Sequence, residues 1–165
     1  MKIRPIHFSP YLKPVIWGGN KIADLKGKDT NLNNIGESWE ISSVAGHVSV
    51  VDDGPYKGKT LTELIDIFGA ELVGTENFRR FGNRFPLLVK FIDAADNLSV
   101  QVHPDDRLAM KNNNSFGKTE MWVIINAEPK SKIYAGLSTE ITPEEFSRRV
   151  ADHTIMDVIA EYAAT

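Results

Sequence analysis

The sequence predicts a mainly β domain, a barrel or sandwich decorated with helices. Three observations point there. Short β-prone runs recur between residues 38 and 137. The helical patterns are short and are inserted between those runs or follow the last of them. No internal repeat, low-complexity tract or linker divides the chain, and 165 residues, 42% of them hydrophobic, suffice for one core. A single domain over residues 1–165 is therefore expected.

The elements follow in order. Pro5, Pro10 and Pro14 make the first fifteen residues extended, because proline fixes φ and restricts the residue before it. Trp17-Gly18-Gly19-Asn20 reads as a turn, and residues 26–36, rich in Gly, Asn, Lys and Asp, as a surface loop. Residues 38–44 and 47–51 are β-prone and are joined by Ala45-Gly46, a hairpin pattern. Asp53-Gly54-Pro55 turns the chain again. Thr60-Leu61-Thr62-Glu63 has capping-box spacing; Leu61, Leu64, Ile65 and Phe68 follow at helical intervals, and Gly69 is the stop. A second short helix falls at 75–81. Residues 86–94 and 98–103 are strand-like, 105–111 make one or two helical turns closed by Asn112-Asn113-Asn114, and 120–126 and 132–137 return to strand. Thr142-Pro143-Glu144-Glu145 is a strong helix start, and Thr154 restarts a helix with Ile155, Val158, Ile159 and Tyr162 on one face.

Composition excludes several chemistries. There is no cysteine, hence no disulfide, thiolate metal site or cysteine nucleophile; a metal must be held by His, Asp, Glu or an amide oxygen. The net charge of −3 argues against nucleic acid or an anionic membrane as the main partner, while leaving room for a local basic pocket. The opening MKIRPIHFSP has no apolar core of a secretory signal, and the longest apolar stretch, 85–92, is interrupted by Pro86 and Lys90. Cytoplasm is the default location.

The most informative stretch is Leu98-Ser99-Val100-Gln101-Val102-His103-Pro104. It alternates strictly, so in a strand Ser99, Gln101 and His103 share a face, with successive donors ~6.6–6.8 Å apart. Gln101 and His103 could reach one metal ion if the strand curves; a half-exposed strand with a polar outer face is the plainer reading. In Gly117-Lys118-Thr119-Glu120-Met121-Trp122-Val123-Ile124, a strand would place Lys118, Glu120, Trp122 and Ile124 together. Trp122 and Ile124 favour burial and would draw Glu120 inward, where a carboxylate needs a cation. Gln101, His103 and Glu120 would supply O, N and O donors to zinc or another divalent transition metal; a salt bridge from Glu120 to Lys118 fits the spacing equally. Glu40 shares a face with Ser38 and Ser42, as a solvated face or a pocket wall. Lys90, alone in PLLVKFIDA, either snorkels to the surface or anchors an anion. His7, His47 and His153 have no metal-ligand partner at useful spacing and read as structural or surface residues. Gly18-Gly19 lacks the features of a phosphate loop.

Together these segments resemble the mannose-6-phosphate isomerases, class I, including the short bacterial enzymes. The matching pieces are Pro14-Val15-Ile16-Trp17-Gly18-Gly19, GESWEIS at 36–42, FPLLVKFIDA at 85–94, LSVQVHPDD at 98–106, GKTEMWVI at 117–124 and KIYAGL at 132–137. They occur in family order over nearly the whole chain, and the pair SVQVHPDD and GKTEMW is highly specific. The resemblance implies a cupin-like jelly-roll barrel and one Zn2+ per chain held by Gln101, His103 and Glu120. It implies a catalytic and substrate-binding Lys118, with Lys90 and Ser99 also lining the site of a small sugar phosphate.

The implied reaction interconverts mannose 6-phosphate and fructose 6-phosphate. Family members continue into a PAGTVHA-like strand, whose histidine is the fourth ligand, and an active-site arginine. Nothing after Ile141 resembles either. The expectation is a domain incomplete at its C-terminus, inactive or nearly so alone, whose unpaired sheet edge would favour a homo-oligomer. A non-catalytic cupin-like sugar-binding or regulatory module is the alternative. A metal-dependent cupin oxygenase would show a His-x-His spacing that is absent.

Overall fold

The structure, a computed structural model, describes residues 3–26 and 31–164; residues 27–30, part of the expected surface loop, lie outside the described residues, as do 1, 2 and 165. The chain divides into two compact units, Met1–Leu98 and Ser99–Thr165.

In the first unit the proline-bearing N-terminal segment is extended, as predicted, and forms β1 (Phe8–Ser9) and β2 (Tyr11–Pro14). The turn at residues 17–20 leads into a helix that the sequence pattern did not reveal, α1 (Lys21–Lys26). Then follow β3 (Ile35–Ile41), β4 (Val50–Val51), a 3-10 turn at Gly54–Tyr56, the helices α2 (Leu61–Phe68), α3 (Ala70–Val73) and α4 (Thr75–Phe81), and β5 (Val89–Ile92). The three-stranded sheet runs β2-β3-β5, antiparallel throughout, and β1 pairs with β4.

The expected hairpin is met in its turn but not in its ladder. His47 N donates to Val44 O at 2.9 Å, and Gly46 takes φ 82°. Yet β3 pairs with β2 and β5, and a strand has only two edges, so β4 pairs elsewhere. The α2 helix forms as its capping box dictates: Glu63 N donates to Thr60 Oγ1 (3.2 Å) and Thr60 N to Glu63 Oε2 (2.7 Å). It buries Leu61, Leu64 and Ile65 in a core shared with Ile22, Ile35 and Val51. The Trp17-Gly18-Gly19 turn is a backbone crossing. A Cβ on Gly18 would fall on the carbonyl of Asn34, and Asp93 Oδ2 accepts from Lys21 N (2.6 Å) at the start of α1.

The second unit holds α5 (Asp106–Asn113), β6 (Lys132–Leu137), α6 (Pro143–Ala151), a 3-10 turn at Ile155–Val158 and β7 (Ile159–Ala163). Both helix starts match prediction: Asp105 Oδ1 accepts from Leu108 N (2.7 Å), and Thr142 Oγ1 from Glu145 N (3.2 Å). Three expectations fail. Residues 155–162 do not continue as a helix; after the 3-10 turn the chain pairs with β6, because an available strand edge outweighs a short i, i+3, i+4 pattern. Residues 98–103 and 120–126 form no strand. Their alternation suits a ladder, but among the described residues no strand pairs with either, and a strand exists only by its partner's hydrogen bonds. Accordingly Val102 is 81% exposed, Met121 88% and Trp122 51%, so the expected burial of Trp122 is not found.

Three separate sheets of two, three and two strands result, with no closed barrel among the described residues. No helix of the described residues is long and apolar enough to cross a membrane.

Candidate functional site

In the second unit three of the nominated side chains converge. Glu120 Oε2 lies 3.2 Å from His103 Nε2, Glu120 Oε1 lies 2.8 Å from Lys118 Nζ, and Lys118 Nζ lies 3.1 Å from His103 Nε2. Backbone contacts bring the two segments together. Lys118 N donates to Pro104 O (3.2 Å) and Gly117 N to Asp106 Oδ1 (2.9 Å). A Cβ on Gly117 would meet the backbone of Asp105 and Asp106 at 2.6 Å, so only glycine permits this approach to the start of α5. Of the two readings left open by the spacing of Glu120, the salt bridge to Lys118 is present, and the carboxylate also faces His103.

The donor set fits a divalent metal. Two ligands on a tetrahedral ion with bonds of about 2.1 Å stand about 3.4 Å apart, close to the His103–Glu120 separation. The Lys118 ammonium stands between the same two acceptors, so the cluster already gathers a cation. The Lys118 hydrogen bond, seconded by its charge and by His103, holds the Glu120 carboxyl below its ordinary value against a smaller desolvation effect. His103 Nε2 donates to Glu120 in one tautomer and accepts from Lys118 in the other; only the second offers the lone pair that a metal takes. Gln101 has a different neighbour: its Nε2 donates to Ser99 Oγ at 2.9 Å. That bond engages the amide nitrogen, and among the described residues Oε1, the atom a metal would take, has no hydrogen bond.

In the first unit Lys90 does not snorkel into solvent. Its side chain is 23% exposed and its Nζ lies 3.5 Å from Glu37 Oε2. Glu37, 8% exposed, is one of the two carboxylates of GESWEIS, of which the sequence pattern gave a face only to Glu40. Trp39 Nε1 donates to Glu37 Oε2 at 2.6 Å, and Lys13 Nζ lies 3.8 Å from Oε1. Glu40, on the other face of β3, is partly sheltered: it accepts from Ser38 Oγ (2.6 Å) and Lys26 Nζ (2.7 Å), and ties α1 to the sheet.

The other histidines fall out as follows. His47 stacks on Tyr11 at 4.0 Å, and His153 takes φ 58° just beyond α6. His7, read as a structural or surface residue with no metal-ligand partner at useful spacing, has two carboxylates beside it: antiparallel register brings up Asp52 and Asp53, with His7 Nδ1 3.4 Å from Asp53 Oδ2. Among the described residues this is the group of three His or carboxylate donors within 4.8 Å of one another; all three are exposed. The His103–Glu120 pair is better sheltered, with side chains 22% and 30% exposed against 73% and 66% for His7 and Asp53.

Residues 6–118 match the family described as phosphomannose isomerase type I, catalytic domain. The mannose-6-phosphate isomerase ManA of Bacillus subtilis (strain 168) is 38% identical over 155 residues, 91% of this chain and 46% of that protein. The mannose-6-phosphate isomerase of Streptococcus mutans is 36% identical over 162 residues, 93% of this chain and 48% of that protein. The crystal structure of the mannose 6-phosphate isomerase from Bacillus subtilis superposes with a TM-score of 0.82 at 34% identity, covering 96% of this chain and 49% of that one. The chain spans about half the length of these relatives.

Proposed function

Because this chain belongs to the type I phosphomannose isomerases, we propose that it carries the metal-binding part of an aldose–ketose isomerase acting on mannose 6-phosphate and fructose 6-phosphate. The whole chain is read as one cupin-like domain. The observation that carries the reading is the convergence of His103, Glu120 and Lys118 within 2.8–3.2 Å of one another. Gln101, His103 and Glu120 would hold one divalent ion, zinc by its preference for such N and O donors. When bound, such an ion supplies Lewis acidity beside a carbonyl.

The reaction moves one proton: the C–H bond at C2 of the aldose breaks, an enediol forms, and a proton is delivered to C1, with no net redox change. Lys118 would hold negative charge developing on substrate oxygen, through an ammonium already set between His103 and Glu120. Lys90 and Ser99 are proposed to bind substrate, Lys90 through the phosphate as a fixed cation.

The test has two arms. Zinc content of the metal-loaded chain should fall from about one per chain to none in His103→Ala; unchanged content would overturn the ligand assignment. Turnover of mannose 6-phosphate by the 165-residue chain with zinc should be compared with that of a protein of the relatives' full length carrying the same segment. We expect turnover mainly from the longer protein, abolished there by Lys118→Ala with folding intact. Full activity in that variant would remove Lys118 from the reaction.

A further inference from the structure

Three charged side chains of the first unit share one face of the β2-β3-β5 sheet by register. Lys13 stands directly across from Glu37, and Lys90 directly across from Trp39, two residues further along the same strand face. Glu37 is the one carboxylate in the buried set of the described residues. A buried carboxylate is costly unless compensated, and here two ammonium groups approach it, Lys13 toward Oε1 and Lys90 toward Oε2.

The compensation is lopsided. The strong hydrogen bond to Oε2 comes from the Trp39 indole, at 2.6 Å. The lysines stand off at 3.8 and 3.5 Å, in charge contact but with no hydrogen bond to the carboxylate. The opposite sheet face provides the contrast: Lys26 and Glu40 close to 2.7 Å, one cation for one anion. On the Glu37 face two cations meet one anion, leaving one positive charge in excess and ammonium N–H groups without an acceptor among the described residues. Both lysines are partly sheltered, with side chains 40% and 23% exposed, so an incoming anion meets less competition from water than at an open surface.

We propose that Lys13 is a second phosphate-binding cation beside Lys90, and that Glu37 is the positioning residue that holds both ammonium groups on one face for a phosphate monoester. The inference rests on the isomerase reading for its ligand, but assigns it two residues that reading does not use. The Trp39 indole N–H, bonded to Glu37 and lying under Lys13 at 5.5 Å from ring centroid to Nζ, reports directly on the site.

The experiment follows the Trp39 indole resonance of the 165-residue chain while inorganic phosphate, mannose 6-phosphate or unphosphorylated mannose is added. Both phosphates should shift it and mannose should not. Lys13→Gln should weaken phosphate binding about tenfold, the worth of one charge-assisted contact, and Lys13→Arg should restore most of it. In a Glu37→Gln background, which keeps the side chain's shape and an acceptor for Trp39, Lys13→Gln should weaken binding less than about twofold, because the lysine is no longer held.

Equal effects of Lys13→Gln in both backgrounds would overturn the positioning role. An unchanged Kd in Lys13→Gln, with binding lost in Lys90→Ala, would overturn the second cation and leave Lys90 in place. No response to phosphate at Trp39 would overturn the whole inference, while the isomerase reading would still stand or fall by zinc content and turnover.

Discussion

Glu37 and Glu120 are held in opposite ways. Glu37 sits in the middle strand of a three-stranded ladder, and its neighbours Lys13, Trp39 and Lys90 are placed by backbone register. Glu120 stands on a segment without ladder bonds, placed by side-chain contacts to His103 and Lys118 and by the close pass of Gly117 over the start of α5. The same contrast runs through the two units. Among the described residues, Ile22, Ile35, Val51, Leu61, Leu64 and Ile65 are buried in the first and only Ala109, Val158 and Ala160 are apolar and buried in the second, where Val123 and Ile125 are 73% and 75% exposed. A carboxylate fixed by a ladder is arranged before any ligand arrives. One fixed by a few side chains is arranged in large part by the cation it meets.

The largest effect that would sharpen this contrast is on stability. Leu64→Ala removes a fully buried side chain from the first unit and should destabilise it by about 2–5 kcal/mol. Val123→Ala in the second should change stability by less than about 0.5 kcal/mol. Denaturant unfolding followed separately by probes in each unit checks both; equal losses would mean that the exposed segment is packed after all.

Next in size is Gly117→Ala. The added carbon would meet backbone at 2.6 Å, which cannot yield as a flexible side chain would. We expect a destabilisation of about 1–3 kcal/mol and, because Lys118 and Glu120 are displaced from His103, a zinc affinity lower by about 10–100-fold. Calorimetric titration with zinc reads the second effect. Wild-type affinity in a destabilised Gly117→Ala chain would show that the approach to α5 holds the fold but not the cluster.

The smallest effect is electrostatic. Glu120 is depressed by the Lys118 hydrogen bond, so its contribution to stability is full above the ordinary carboxylate value of 4.5 and is lost as pH falls through the depressed folded value. In the metal-free chain, Lys118→Ala should return the Glu120 titration toward 4.5, seen in its carboxyl carbon resonance. The pair is accessible to water, so the change in global stability should stay below about 1 kcal/mol. An unmoved titration would mean that His103, not Lys118, organises the carboxylate.

What the sequence determined by itself was local or written in residue type. The capping box at Thr60, the proline start at Pro143, α4 to the residue and the turn at Gly46 were all legible, because each depends on groups within a few positions of one another. The meeting of His103 with Glu120 was also legible, through the QVHP and KTE segments and the family they resemble. Tertiary structure decided whatever depends on a distant partner. Residues 98–103 and 120–126 have the alternation of strands, yet form none without another strand beside them. Residues 159–163 carry a helical pattern, yet became β7 because β6 offered an edge. Glu37 was visible only as a second carboxylate in GESWEIS, without a role, since its burial and the approach of Lys13 and Lys90 follow from the register of β2 and β5 against β3. His7 showed no metal-ligand partner at useful spacing because Asp52 is far from it in sequence and adjacent only across the β1-β4 pair. Side-chain chemistry is a property of a residue; ladder partners and burial are properties of pairs, and pairs far apart in the chain are set only when it folds.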